Sequence, residues 1–174
     1  MYAKFIKKTI LQQDKVALRN VTFGVAKNEI VGIVGPNGAG KSTLINILTR
    51  QLDPDDGQIV VGDLEDRLSS RIPLVGFCPQ ENILWDELTA EEHIRTFGMI
   101  KGLLGDSLDE EASFLLASLG IPRGVPVGEL SGGHQRLVSL AIAFVASPRI
   151  VILDEPSKNL DPVERRGLWD RSEE

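Results

Sequence analysis

The chain has 174 residues, 42% hydrophobic and 25% charged, which suits an ordinary globular protein with a sizeable core and no long disordered tract. A net charge of −6 argues against a general nucleic-acid-binding surface, and a single cysteine, Cys78, excludes an internal disulfide and fits a reducing compartment, with burial on a strand as its expected role. The longest apolar run, Leu137 to Ala146, is too short to span a bilayer, and Lys4, Lys7 and Lys8 are not followed by the apolar stretch of a signal peptide.

Near the N-terminus, Val21, Phe23 and Val25 alternate with Thr22, Gly24 and Ala26, the period of a half-exposed strand, so an antiparallel β region is predicted. Lys27-Asn28-Glu29 turns the chain into Ile30 to Val34, a nearly unbroken apolar run expected to be a parallel strand buried on both faces. Next comes Gly35-Pro36-Asn37-Gly38-Ala39-Gly40-Lys41-Ser42-Thr43, which fits the phosphate-loop pattern G-x-x-x-x-G-K-[ST] at every fixed position. Its glycines let successive amides turn inward as a nest for the β- and γ-phosphates, Lys41 adds a point charge, Ser42 offers a hydroxyl to Mg²⁺ and Thr43 a further donor. Leu44, Ile47 and Leu48 give the apolar face of the helix that follows, whose positive dipole end meets the same phosphates. The bland alternative is a glycine-rich strand-to-helix turn that holds no ligand.

Asp53-Pro54-Asp55-Asp56-Gly57 is a strong turn signal, leading to a short strand at Gln58 to Val61. A further strand is expected at Leu74 to Cys78, ended by Pro79, which places Gln80 at the strand end where open α/β sheets bind ligands. Thr89 and Glu92 form a capping box for a helix with Ile94 and Phe97 on one face, and His93 on that helix is expected at the surface. A second helix is predicted from about Asp109 to Leu119, with Leu108, Ala112, Leu115, Leu116 and Leu119 at helical spacing and Gly120 as its stop. In Leu130-Ser131-Gly132-Gly133-His134-Gln135, Ser131 caps a third helix with an apolar face of Leu137, Leu140, Ala141, Phe144 and Val145. A serine and two glycines at a helix start make either a second anion site or a plain cap. Arg149 to Leu153 is predicted as an apolar strand running into Asp154-Glu155, where one carboxylate can hold Mg²⁺ and the other can deprotonate an attacking water.

In this order the residues resemble the nucleotide-binding domain of ATP-binding cassette (ABC) transporters, from about Val16 to Trp169: phosphate loop, glutamine after a strand, LSGG at a helix start, ILDEP and a following LDP. The stretches GFCPQENILWDELTAEEHI and LDPVERRGLW look most like the A subfamily, whose members are mostly lipid exporters. The resemblance implies an α/β fold, a P-loop NTPase core with a mostly parallel sheet, an N-terminal antiparallel β region and a helical insertion at about 86–127, within one ATP-binding domain over 1–174. It implies ATP and Mg²⁺ as ligands, with Gly35, Asn37, Gly38, Gly40, Lys41, Ser42 and Thr43 around the phosphates. Ser42, Gln80 and Asp154 would serve the metal, and Glu155 would act as general base, with Lys41 and Gln80 also in the catalytic set. Ser131, Gly132 and Gly133 would close over ATP held by a second cassette in a head-to-tail pair, with Asp161 at the seam or capping the helix begun by Pro162. A transmembrane partner would place the chain at the cytoplasmic face of a membrane, and no nucleic acid is expected.

Three departures accompany the resemblance. His134 stands where a glutamine commonly follows LSGG, and Ser157-Lys158-Asn159 is an unusual lead into Leu160-Asp161. The family's switch histidine belongs one strand beyond the LDP helix, whereas His93 and His134 both lie upstream, so the chain is expected to be incomplete at its C-terminus and without ATPase activity alone. Tyr2 and Phe5 are both candidates for the aromatic that stacks on adenine. The rival readings are a fragment that binds ATP or another cassette without turnover, and a soluble cassette ATPase unconnected with transport.

Overall fold

The computed structural model describes residues 1–10, 15–60, 75–158 and 160, without the side chains at positions 2–5, 7, 9, 10 and 15. The chain divides into two compact units, Met1–Arg71 and Ile72–Glu174.

The first unit holds strands β1 (Tyr2–Ile10), β2 (Lys15–Gly24) and β3 (Asp56–Val60) and helix α1 (Lys41–Leu48). The strands form the expected antiparallel sheet in the order β2-β1-β3, with Tyr2 opposite both Gly24 and Val60. A bond from the Val25 amide to the Met1 carbonyl, 2.8 Å, extends that ladder to the first residue. Ile6 and Leu18 are buried from the sheet and Leu44, Ile45, Ile47 and Leu48 from α1, which packs on β2. β3 starts two residues before the predicted strand: Gly57 takes a left-handed φ of 99° and the Asp56 carboxylate accepts its amide at 2.7 Å, so the turn chemistry is absorbed into the strand start. Val61 lies outside the described residues.

Ile30 to Val34 is not the buried strand that its composition predicts. Among the described residues it joins no ladder, and Ile30, Val31, Ile33 and Val34 are exposed, the last at 96%. A parallel strand is held by hydrogen-bonded neighbours, and an apolar run without them has neither the ladder nor the covering layers that would bury it.

The second unit contains β4 (Val75–Cys78), α2 (Ala90–Ile100), α3 (Asp106–Leu119), α4 (Gly132–Phe144) and β5 (Ile150–Leu153). β4 and β5 are parallel, in register from Val75 opposite Ile150 to Cys78 opposite Leu153. With a single strand neighbour among the described residues, β5 is half-buried rather than enclosed. The core gathers Cys78, Ile94, Ala112, Leu116, Val138 and Leu140, so the three helices and β4 share one apolar cluster. α4 lies very close to β4: a Cβ on Gly76 would stand 1.9 Å from the Ala143 carbonyl oxygen, which only glycine permits.

The local signals explain the helices. Thr89 and Glu92 make the predicted capping box, the hydroxyl accepting the Glu92 amide at 3.2 Å and the carboxylate accepting the Thr89 amide at 2.8 Å. The bond from the Thr89 amide foremost, and a second that the Thr89 hydroxyl donates to the same carboxylate at 2.9 Å, hold the Glu92 carboxyl below its ordinary range. α3 starts three residues earlier than predicted, with Asp106 and Asp109 in a first turn whose dipole favours them, and ends at Gly120 with φ 65° as expected. Lys101, just past α2, reaches the C-terminal carbonyls of α4, donating to Ile142 at 2.9 Å and Val145 at 3.1 Å. Partial burial depresses the pKa of its ammonium.

His93 corrects the reading as a surface side chain. It is fully buried. Its Nδ1–H donates to the Thr89 carbonyl at 2.9 Å, and its Nε2 accepts the Trp85 amide at the same distance, which fixes a neutral tautomer. One face of the ring stacks on Trp85 with centroids 5.4 Å apart, and Trp85 in turn lies 5.9 Å from Phe97. Helical spacing alone put His93 beside the polar residues of α2, but the loop before the helix folds back over that position.

Candidate functional site

In the first unit, the segment from Gly35 to Thr43 is a loop that passes into α1 at Lys41. Gly38 and Gly40 have φ of 78° and 95°, as the nest reading requires. Gly40 is constrained twice, because a Cβ there would also meet the Ala17 carbonyl oxygen of β2 at 2.6 Å. Ala39 closes a turn on the Pro36 carbonyl at 3.2 Å, bringing Asn37 and Gly38 to its tip. Lys41 folds back over its own loop and donates to the carbonyls of Gly35 at 2.7 Å and Pro36 at 3.0 Å. An ammonium held only by carbonyl oxygens is readily re-aimed at a stronger anionic acceptor such as phosphate. Ser42 is exposed at the first turn, and Thr43 beside it is half-buried.

In the second unit, the C-terminal ends of β4 and β5 carry Gln80 and the Asp154-Glu155 pair. The parallel ladder continues one bond past the strands, from the Asp154 amide to the Cys78 carbonyl at 2.9 Å. Gln80 and Glu155, 75 residues apart in sequence, meet here, with the Gln80 Nε2 donating to Glu155 Oε2 at 3.0 Å. That bond uses the amide nitrogen and leaves the Gln80 carbonyl oxygen open to a hard cation. Glu155 is exposed and sits at a positive φ of 49°, a backbone state that non-glycine residues seldom adopt without a constraint. Cys78, one turn of chain before Gln80, is fully buried as expected. Burial above all pushes its thiol up to about 11, with nearby Arg136 acting in the opposite sense, so it is no nucleophile at neutral pH.

Ser131 caps α4, its Oγ accepting the His134 amide at 3.2 Å and lying 2.8 Å from His134 Nδ1. With the amide already donating to Oγ, the hydroxyl proton is free to point at the imidazole, so His134 replaces a glutamine with a direct partner for the capping serine. Gly132 is exposed and Gly133 buried beneath it. Among the described residues no group of three or more His, Cys, Asp and Glu side chains could hold a metal by itself. Within each unit the oxygen donors are of the kind a hard cation takes, the exposed Ser42 hydroxyl in the first, and the Gln80 amide oxygen and the Asp154 carboxylate in the second.

Tyr2 and Phe5 both lie in β1, with their side chains outside the described set, as are Asp161, Pro162 and Trp169 altogether. Sequence reading missed Arg136 and Asn82, which lie beneath the ends of β4 and β5. The one available signal was a charged residue at the head of the apolar run of α4.

The family model for the ABC transporter matches residues 18–158. ABC transporter A family member 5 of Arabidopsis thaliana is 40% identical over 162 residues, covering 90% of this chain and 17% of that protein. The Rattus norvegicus ATP-binding cassette sub-family A member 7 is 38% identical, over 95% of this chain and 8% of its own length. The human cholesterol transporter ABCA5 is 37% identical, over 89% and 10% respectively. The chain therefore spans less than a fifth of these relatives. Among solved structures, a dimeric ATP-binding cassette in a post-hydrolysis state with ADP and Pi superposes with a TM-score of 0.84 at 28% identity, covering 97% of this chain and 79% of that one. The ATP-binding subunit of an ABC transporter gives 0.87 at 29%, covering 99% and 72%.

Proposed function

Because the chain belongs to the ABC transporter family and shares its P-loop NTPase fold, we propose that it binds Mg-ATP and hydrolyses it to drive transport by a membrane partner, with a lipid as cargo. The observation that carries the reading is the meeting of Gln80 and Glu155 at the ends of two parallel strands, in a chain whose phosphate loop opens α1. Glu155 takes a proton from water as the water oxygen bonds to the γ-phosphorus, the bond to the β–γ bridging oxygen breaks, and ADP and phosphate leave. For this, Glu155 gives up its bond from Gln80 and accepts one from the water. Lys41 leaves the Gly35 and Pro36 carbonyls for the β- and γ-phosphate oxygens, and the loop amides around Gly38 and Gly40 cradle the same charge. Ser42 of the first unit and Gln80 and Asp154 of the second are the oxygen donors that would serve Mg²⁺, as the family resemblance implies; the cation, when bound, supplies neutralisation of charge on the phosphate oxygens.

The helix start at Ser131-Gly132-Gly133, with Ser131 and Gly132 exposed, suits a γ-phosphate presented by a second cassette. A solved relative of the same fold is dimeric, which supports pairing with a second cassette; the head-to-tail arrangement is what the family resemblance implies. α2 and α3, within 86–127, serve as the helical insertion of a single cassette domain, and the domain works at the cytoplasmic face of a membrane. No described helix is long and apolar enough to cross a bilayer. The lipid cargo rests on similarity to proteins of the A subfamily, one of them named as a cholesterol transporter.

Glu155→Gln keeps shape but cannot accept the proton, so ATP affinity should hold while turnover in the assembled transporter falls by roughly 10²- to 10⁴-fold. Turnover equal to the parent would remove Glu155 from the role.

A further inference from the structure

Arg136 stands one turn after Gly133 in α4 and is 1% exposed. Among the described residues it has no carboxylate partner within ion-pair distance. Its guanidinium is instead filled by oxygens of two loops. Nε–H donates to the Pro156 carbonyl at 3.2 Å; one Nη serves the Pro79 carbonyl and, at 3.3 Å, Asn82 Oδ1; the other serves the carbonyls of Asp154 at 2.7 Å and Glu155 at 3.0 Å. All five N–H donors of the side chain are thereby used. Asn82 is itself held by the Ser139 hydroxyl at 3.2 Å, so the acceptor is fixed from the next turn of α4.

Two features separate this from ordinary core packing. The acceptors flank Gln80 on one side and include both members of the carboxylate pair on the other, the two loops whose tips meet in the Gln80–Glu155 bond. Glu155 also has a left-handed φ, and its carbonyl is one of the acceptors. A strained residue persists where its surroundings over-determine it, and here the determining group is a buried cation. The planar fork suits this task better than a lysine would: an ammonium carries three donors on a flexible stem, too few for the five acceptors and without a fixed geometry to hold the two loops in register.

We propose that Arg136 is a positioning residue for hydrolysis, setting the place of the Glu155 carboxylate and of Gln80 through the main chain of the loops that carry them. The inference rests on the reading of Glu155 as general base. It requires that geometry, rather than charge alone, be what Arg136 provides.

The test compares Arg136→Lys, Arg136→Gln and Leu116→Ala in the assembled transporter. Leu116 is 1% exposed in the apolar core and serves as a control for lost stability. ATP turnover, KM, affinity for a fluorescent ATP analogue and melting temperature are measured for each. Arg136→Lys should lower kcat by roughly 30- to 100-fold, the cost of misplacing a reacting group by about an ångström, with KM and analogue affinity within about threefold of the parent. Leu116→Ala, at an equal or larger fall in melting temperature, should keep kcat within about threefold of the parent. A kcat within threefold in Arg136→Lys, or the same kcat loss in Leu116→Ala at matched melting temperature, overturns the proposal. If neither Arg136 variant melts cooperatively, Asn82→Leu removes one acceptor and leaves the arginine in place. A several-fold loss of kcat at unchanged KM then supports the proposal, and no loss overturns it. The parent's own turnover and its response to Glu155→Gln report on the functional reading separately, so failure of that reading cannot be mistaken for failure of this one.

Discussion

The phosphate loop of the first unit and the carboxylate end of β5 in the second are built on opposite plans. Around Gly35 to Thr43, the bonds that shape the site are local: Lys41 reaches carbonyls five and six residues back, and Ala39 closes on Pro36. Around Glu155, they are long-range: 75 residues separate it from Gln80, and 57 separate Arg136 from Pro79. A locally encoded site depends on glycine and on the turn itself, whereas the other depends on the packing of α4 against the strands. Displacement of α4 from the ends of β4 and β5 should therefore disturb Glu155, while the loop should yield to changes within itself or in β2 beneath it.

Each region has its own reporter. Cys78 is buried with its thiol pushed up to about 11, so alkylation near neutral pH is blocked until the second unit opens. Binding of a fluorescent ATP analogue reports on the loop. The largest effect is expected for Gly76→Val, because its Cβ would overlap the Ala143 carbonyl. Overpacking of ~3 kcal/mol or more should accelerate Cys78 labelling by at least 100-fold. Unchanged labelling would mean that α4 is not seated on β4 as described.

Gly40→Ala is the counterpart in the first unit. A left-handed φ and a 2.6 Å approach to the Ala17 oxygen should together cost about 1–3 kcal/mol and weaken analogue binding by roughly 5- to 150-fold, with Cys78 labelling as in the parent. Accelerated labelling in this variant would erase the distinction between the two plans. His93→Leu should come next. It leaves the Trp85 amide without its acceptor, at about 1–3 kcal/mol, and removes one of the two donors to the Thr89 carbonyl, which keeps the backbone amide of residue 93; it should quicken Cys78 labelling while sparing the analogue.

The smallest effect is expected at the α2 cap. The carboxyl of Glu92 has its pKa lowered in the folded chain, so its contribution is present above its ordinary value near 4.5 and is lost as pH falls through the lower folded value. Glu92→Gln should make the second unit slightly less stable than the parent at neutral pH, and the difference should shrink toward zero in acid. A difference independent of pH, followed by melting across that range, would show that the charge does not contribute.

What was legible in the chain follows the same division between local and distant contacts. The phosphate loop, the Thr89 box, the Gly120 stop and the Ser131 cap each depend on residues within a few positions of one another, and all appear where the sequence puts them. Fold class was readable too, from alternation in the first strands, helical spacing later, and the order of motifs. The sequence could not show that Ile30 to Val34 is exposed, because an apolar run specifies a preference for burial and not the neighbours that satisfy it. Nor could it show that His93 lies under Trp85, or that Arg136 fills its five donors with oxygens from two loops. Those are properties of contacts between residues distant in sequence. Hydrogen bonding and desolvation are decided there by which surfaces meet, and periodicity does not encode that choice.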